Sequence, residues 1–393
     1  MERIKHRSEN PTIYYVLIVL ACMNFLGKGS VVYLGLGLFE LFRRKCSILI
    51  DLNAVAVAIF TLFVVAVSVV YYSLSDCVKS VNAVLLYLLG YDSFCRAADK
   101  DKCIEQTALS MCVGFGMQLV LMFAYNLNRE QASVRSLYSV WTKETIAVTL
   151  LGLLVATVTG YSFYAFFCSD KLWKKTLVLI MLAVGLKISF DTATRTPIVL
   201  FAAVYTAMSV LYMINIHGIK MLRYVGVLLF FGAAVFLLYI TDTFGIKSAI
   251  WGTPIFQRLF MEGLATGRVD ITKRHFAYML QYPWGGAKIQ KATGDIAHNF
   301  LQECHDLYGI FATLALLVIT TQLILNLVRL IRIRKKTGVD FLLISLYLAI
   351  MLQMCMEPIF SGYPILFWSL LNIHGMATAY LKGKRMIRRR GAG

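Results

Sequence analysis

The chain has 393 residues, of which 59% are hydrophobic and only 15% are charged, and its mean hydropathy is +0.70. A soluble protein of this size usually has about a quarter of its residues charged, so the composition argues against a soluble all-α protein with one large core. The net charge of +18 would suit a nucleic-acid-binding protein, but the basic residues are divided among short polar breaks between apolar runs. That distribution is typical of membrane topology, and it argues against nucleic acid as a partner.

Apolar runs recur from one end of the chain to the other, and a run of about 20 residues is enough to cross a bilayer. They predict an all-α polytopic membrane protein with about 12 transmembrane helices, near 12–27, 30–42, 50–72, 80–95, 104–126, 146–168, 176–192, 197–216, 224–240, 303–328, 340–357 and 363–380. Because no Pro-rich or Gly-rich linker divides the chain, we expect residues 1–393 to form a single membrane domain. The first run has basic flanks but no small-residue cleavage site after it, so we interpret it as a retained span.

The distribution of positive charge predicts the orientation of these spans. If both termini lie in the cytoplasm, 25 of the 39 Lys and Arg residues fall in cytoplasmic segments: 1–12, 43–45, 96–102, 171–175, 217–223, 329–336 and 382–390. Cytoplasmic loops are generally rich in Lys and Arg. The basic excess is therefore expected to reflect topology and contact with anionic membrane lipids.

One extracytoplasmic loop, 241–302, departs from this pattern because it is long and net basic. Its segment 267–282 alternates charged and apolar residues at helical spacing, and Pro283-Trp284-Gly285-Gly286 then predicts a turn. We expect this loop to form a folded cap containing amphipathic helices on the membrane surface. The alternative is a solvated loop.

The outer end of the seventh span carries ionisable residues at membrane depth, where they are costly and usually functional. Lys187 and Asp191 are spaced to pair with each other along a helix. Arg195 precedes Pro197, which suits the first turn of the next helix, and its guanidinium is a candidate ligand for an anion.

Three segments, taken in order, resemble the O-antigen polymerase/O-antigen ligase family of bacterial membrane glycosyltransferases. They are Thr194-Arg195-Thr196-Pro197 at the start of a span, Gly267-Arg268 with the later Pro283-Trp284-Gly285-Gly286, and Ala297-His298-Asn299-Phe300-Leu301-Gln302 leading to Tyr308-Gly309. The resemblance covers about 190–330. Gly309 is followed by Ile310 and Phe311 rather than by a close second glycine, and the gap between Arg268 and His298 is short. Because of these departures, the resemblance does not decide between a polymerase and a ligase.

The resemblance implies a polyprenyl-diphosphate-linked glycan as donor and a glycan as acceptor, with no cofactor. It implies His298 as the general base, with inversion at the anomeric carbon. Diphosphate binding is assigned to Arg195 and Arg268, with Arg258 and Arg274 as weaker candidates, because guanidinium groups match phosphate oxygens. Glu357, Asn299, His275 and Lys187 are supporting candidates. His298, Gln302 and His305 can share a helical face, but Gln is a poor ligand, so no metal is expected.

The leading hypothesis is polymerisation of undecaprenyl-diphosphate-linked repeats of O-antigen, capsule or exopolysaccharide at the outer face of a bacterial inner (plasma) membrane, with a chain-length regulator as a possible partner. Ligation of a finished glycan onto lipid A-core is the close alternative. A transporter or flippase of lipid-linked sugars is the alternative from another class. It predicts midplane charges and an internal repeat, whereas the ionisable residues here gather towards one face.

Overall fold

The structure is a computed structural model that describes residues 12–127, 136–216 and 268–390, together with positions 226, 237, 240, 241 and 251. Its helices are α1 (Thr12–Cys22), α2 (Gly29–Arg43), α3 (Leu52–Tyr71), α4 (Leu74–Ser80), α5 (Asn82–Arg96), α6 (Lys100–Asn126), α7 (Thr149–Phe167), α8 (Leu172–Asp191), α9 (Thr196–Asn215), α10 (Arg268–Met279), α11 (Lys288–Thr293), α12 (Phe300–Ile331), α13 (Gly338–Met356) and α14 (Pro364–Arg390). A short antiparallel hairpin of β1 (Ser136–Tyr138) and β2 (Thr145–Ala147) lies between α6 and α7.

Six of the described helices are each long and apolar enough to cross a bilayer: α3, α6, α7, α9, α12 and α13. A helix suits this environment because it pairs its own backbone N–H and C=O groups where no water is present. Large apolar side chains also point outwards, such as Leu62 at 65% and Val70 at 70% exposure on α3. Apolar surface of this kind is expected to face lipid. The chain is therefore an all-α membrane protein.

Each predicted span other than 224–240 overlaps a helix of the structure, although several of these helices are short or interrupted by charges. The 224–240 span falls largely outside the described residues. The helix predicted within 267–282 is confirmed as α10, and a turn follows it at Pro283–Gly286.

Glycines allow α5 and α14 to approach closely in the centre of the bundle. A Cβ atom at Gly90 would lie 2.0 Å from the carbonyl oxygen of Asn372, and one at Gly375 would lie 2.2 Å from that of Tyr87. Small residues at such crossings let helix backbones touch, which is a common way to pack helices in membranes. This contact holds α14 against α5. It thereby also positions the loop between α13 and α14.

The two ends of the bundle differ in chemistry. One end, where α2, α5 and α14 finish and α3 and α13 begin, contains ion pairs with buried carboxylates: Arg44 with Glu40 and Asp92, Lys382 with Asp51 at 3.1 Å, and Lys384 with Asp340 at 2.8 Å. The starts of α9, α12 and α14 and the end of α13 lie at the opposite end. The candidate site is found there.

Helix α12 is interrupted at Gly309, whose φ of 80° and ψ of −178° are accessible essentially to glycine alone. The backbone groups freed by this break pair with the turn after α10. Ile310 N–H donates to the Pro283 carbonyl at 2.8 Å, and Gly286 N–H donates to the Leu307 carbonyl at 3.0 Å. Two of the segments that carry the family resemblance, Pro283–Gly286 and Tyr308–Gly309, thus pack against each other.

Candidate functional site

Glu357 joins three elements at this end of the bundle. It caps the C-terminus of α13, and its side chain is fully buried. The Nη2 of Arg268 donates to its Oε1 at 2.8 Å, and the hydroxyl of Thr196 donates to the same oxygen at 3.0 Å. Arg268 Nη1 also donates at 2.9 Å to the carbonyl of Met356, one of the carbonyls that a helix C-terminus leaves unpaired. One carboxylate therefore connects the first residues of α9 and α10 with the last turn of α13.

Arg195 is brought to the same junction by its position in the chain. It occupies the N-cap of α9, directly before Thr196, and Pro197 lies in the first turn. Its side chain is half-buried. The two arginines that the sequence analysis singled out, 195 and 268, therefore belong to elements tied to one buried acid.

His298 lies two residues before the start of α12 and is half-buried. Burial lowers its pKa below the ordinary 6.5, and the electrostatic influence of Arg268 and His275 lowers it further, while Asp295 opposes them. Its Nδ1 is buried and has no hydrogen-bond partner among the described residues. The imidazole is thus neutral near pH 7 and close enough to Arg268 to feel its charge. A neutral imidazole with an unprotonated nitrogen can accept a proton.

Asn299 caps the helix that follows His298. It is the N-cap of α12, where its Oδ1 accepts from Gln302 N–H at 2.9 Å, and its Nδ2 donates to Gln302 Oε1 at 2.7 Å. Caps of this kind pair the orphan donors at a helix start. Asn299 therefore fixes the direction in which the chain leaves His298.

Polar side chains hold α10 against α12 and the segment before it. Gln302 donates to the Thr272 carbonyl at 3.0 Å, and Nε2–H of His305 donates to the Met279 carbonyl at 2.9 Å. The fully buried His275 donates from Nε2 to the Asp295 carbonyl at 3.2 Å. The residues considered as a metal-binding face, Gln302 and His305, are therefore used for docking. Among the described residues, no group of three or more His, Cys, Asp or Glu side chains could hold a metal ion.

The remaining basic candidates are less closely associated with the junction. Arg274 pairs with Asp295 at 2.7 Å on the exposed side of α10. Lys187 pairs with Asp191, as their spacing predicts, and both side chains are exposed. Arg258 lies outside the described residues.

Sequence reasoning missed Glu303, which shapes the loop between α13 and α14. Its buried carboxylate accepts the backbone N–H groups of Ile359, Phe360 and Ser361 at 2.5 to 2.9 Å, and also the hydroxyl of Ser361. The available signal was an acid in the first turn of an apolar span, where ionisable groups are rare and costly.

Two cavities open towards this end, of about 430 and 380 Å³. The second includes Lys187, but Arg195, Arg268 and His298 line neither of them. Arg268 instead contacts Glu357 directly, Arg195 adjoins Thr196, which also bonds to Glu357, and His298 is influenced by the charge of Arg268.

The fold and the junction define the class of the protein: an all-α membrane protein with a charged cluster at one end of its helices. No protein-family model and no curated protein sequence matches the chain.

Proposed function

We propose that this protein is a membrane glycosyltransferase that polymerises undecaprenyl-diphosphate-linked oligosaccharide repeats. The observation that carries the proposal is the junction at Glu357, which connects the element starting with Arg268 to the helix preceded by Arg195, beside a histidine whose pKa Arg268 lowers. The resemblance to the O-antigen polymerase/O-antigen ligase family rests on these same residues.

The arginines supply what the leaving group requires. As the glycosidic bond breaks, the electron pair passes to the diphosphate oxygen, and fixed positive charge stabilises it there. The guanidinium of Arg268 carries more N–H donors than its contacts with Glu357 and Met356 use, so it can bind phosphate oxygens while Glu357 holds it in place.

His298 supplies what the acceptor requires. The acceptor hydroxyl oxygen forms a bond to the anomeric carbon as its proton passes to the neutral imidazole, and the bond from that carbon to the diphosphate breaks. Attack from the side opposite the leaving group inverts the anomeric centre. A pKa below 6.5 keeps this base unprotonated at neutral pH.

The proposed topology has about twelve spans, both termini in the cytoplasm, and loop 241–302 with the catalytic junction on the outer side of a bacterial inner membrane. Two observations support it. The ion pairs of Arg44, Lys382 and Lys384 lie at the end assigned to the cytoplasm, as the positive-inside rule expects. The junction lies at the other end of the bundle.

The test uses the purified full chain in lipid nanodiscs with the undecaprenyl-diphosphate-linked repeat extracted from the source cell. We expect products two or more repeats long and release of undecaprenyl diphosphate, without a second acceptor. His298→Ala should abolish product while donor still binds, whereas Arg195→Ala or Arg268→Ala should weaken both. Arg43→Ala, which removes an arginine paired with Glu40 at the opposite end, is the matched control and should behave as wild type.

Other outcomes identify the alternatives. A ligase would leave the lone repeat unextended and transfer it only after lipid A-core is added. A transporter would move the lipid-linked repeat across a proteoliposome membrane and form no new glycosidic bond. Normal polymer from His298→Ala would contradict the assignment of the general base.

A further inference from the structure

The cavity of about 430 Å³ is lined in part by the loop between α13 and α14, and neither Arg268 nor Glu357 lines it. Its walls come from the start of α2 and the segment before it, the second half of α3, helix α4, the start of α5, the part of α12 before its break, that loop and the start of α14. Leu307 is part of the wall, and its carbonyl accepts the hydroxyl of Tyr72 at 3.1 Å as well as the N–H of Gly286. The packing at the α12 break therefore also shapes this cavity.

The lining combines aromatic rings with polar groups. Phe360 contacts Phe60 at 6.1 Å, Phe367 at 5.3 Å and Tyr308 at 5.9 Å between ring centroids, and all four rings line the cavity. Such rings offer flat apolar faces with a negative quadrupole. The polar lining includes Asn24, Ser30, Asp76, Lys79 and Ser361, which offer donors and acceptors. This combination suits a sugar, which has C–H faces and hydroxyl edges.

The charges at the mouth argue against a diphosphate in this cavity. Lys79 Nζ pairs with Asp76 Oδ1 at 2.9 Å, and the two side chains are exposed to similar extents, 41% and 43%. A matched ion pair presents little net charge, whereas the guanidinium of Arg268 is 38% exposed and has N–H donors beyond those that Glu357 and Met356 accept. The two sites are therefore chemically different.

The loop connects the two sites. Glu357 bonds to Arg268 on one side, and Ser361, four residues later, lines the cavity. Four residues of extended chain span at most about 14 Å, so the sites lie within the reach of a short oligosaccharide. Glu303 fixes Ile359, Phe360 and Ser361 by hydrogen bonds, which makes this separation rigid.

We infer that this cavity binds the acceptor glycan, holding a predominantly neutral oligosaccharide so that its terminal hydroxyl reaches the arginine junction. The inference rests on the proposed function and adds to it where the acceptor glycan binds and that this glycan is predominantly neutral.

The test measures two affinities for the full chain in nanodiscs. One probe is the repeat oligosaccharide, freed from its lipid by mild acid and labelled at its reducing end, and the other is undecaprenyl diphosphate. Ser30→Phe fills the cavity from its wall and should weaken oligosaccharide binding at least tenfold while leaving diphosphate binding unchanged. Val31→Phe is the matched control, since Val31 is 57% exposed and does not line this cavity. Arg268→Ala should weaken the binding of undecaprenyl diphosphate and leave the affinity for the oligosaccharide unchanged.

A second variant tests the inference independently in case Ser30→Phe fails to fold. The charges of the exposed pair can be removed by Asp76→Asn with Lys79→Gln, and this should also weaken oligosaccharide binding by several-fold. The inference is overturned if wild type binds no oligosaccharide, if neither cavity variant changes its affinity, or if Arg268→Ala removes it equally. Failure of the proposed function gives a different result, because diphosphate binding and transfer would then be absent whatever the cavity variants do.

Discussion

The guanidinium of Arg268 donates a hydrogen bond of 2.8 Å to the carboxylate of Glu357, although 89 positions separate the two residues in the chain. The side chain of Arg268 is 38% exposed, whereas that of Glu357 is buried at 1%. The acid is therefore held inside the protein, and the base projects from it towards solvent. Glu357 therefore holds the cationic side chain of Arg268 in position without burying it as an ion pair inside the protein.

Glu357→Gln tests whether Glu357 acts by positioning Arg268. The amide keeps the size of the side chain and an acceptor oxygen but loses the charge, and charge-assisted hydrogen bonds exceed neutral ones by about 1 kcal/mol or more. We expect kcat/KM to fall about tenfold in the transfer assay with nanodiscs. In an Arg268→Ala background the same substitution should lower kcat/KM little further, because the guanidinium that Glu357 positions is already absent. Equal losses in both backgrounds would show that Glu357 acts independently of Arg268.

The pH dependence of transfer tests His298 as the base. Because its pKa is lowered from 6.5, the imidazole is neutral above that value, and activity should fall only as the pH drops below it. Arg268→Gln removes one of the positive charges that lower this pKa. The acid limb of the kcat/KM profile should therefore move to higher pH in the variant. The maximal kcat/KM should also be lower than in wild type.

The matched control for this shift is Lys291→Gln, because Lys291 is exposed and is not one of the charged groups that account for the lowered pKa of His298. It should leave the acid limb in place. His298→Ala should lower the rate by about 10²- to 10⁴-fold, the usual contribution of a general base, so that product falls below detection in the transfer assay. An acid limb that does not move in Arg268→Gln would mean that another group titrates.

The sequence predicted those parts of the structure that depend on local patterns. Long apolar runs predicted helices such as α3 and α12, spacing by four predicted the Lys187–Asp191 pair, and alternation of charged and apolar residues predicted α10. Hydropathy and helical periodicity act within one element, so they can be recognised without knowing its neighbours.

The contacts of the site could not be predicted in this way, because they join distant segments. Nothing local indicates that Glu357 receives both Arg268 and Thr196, or that Glu303 receives the backbone of 359–361. Asn299, a supporting candidate, is the N-cap of α12 because that helix starts immediately after it, and its side-chain bonds to Gln302 could not be predicted from the sequence. Pairing of this kind depends on how the helices pack, which a single sequence does not reveal.

Gly309→Ala tests whether the break in α12 is required for folding. Gly309 has a φ of +80°, and an added Cβ would lie 2.7 Å from the carbonyl oxygen of Pro283. Gly294 provides the matched control, since its φ is +73° but no atom lies within 4 Å of an added Cβ. Gly294→Ala should lose only the backbone term of about 1–2 kcal/mol. Gly309→Ala should lose about 1–3 kcal/mol more from overpacking, and its ψ of −178°, against 0° at Gly294, adds a further backbone loss.

Thermal unfolding of both variants in nanodiscs provides the measurement for this comparison. Gly309→Ala should unfold at a clearly lower temperature than Gly294→Ala. It should also lower transfer activity, because the Pro283–Gly286 turn no longer fits against α12. If the two variants unfold at the same temperature, close packing at Gly309 is not what requires glycine there.

The orientation in the membrane can be tested with a cysteine that the chain already carries. Cys46 is exposed in the segment between α2 and α3, beside Arg43 and Arg44, on the end proposed to face the cytoplasm. A membrane-impermeant maleimide should therefore label it only after cells are permeabilised, and Cys46→Ser should remove that label. In Lys291→Cys the new thiol replaces an exposed side chain in α11, near the proposed outer site, and should react in intact cells. Labelling of Cys46 in intact cells would place the Arg268 junction on the cytoplasmic side, where an extracytoplasmic polymerase cannot work.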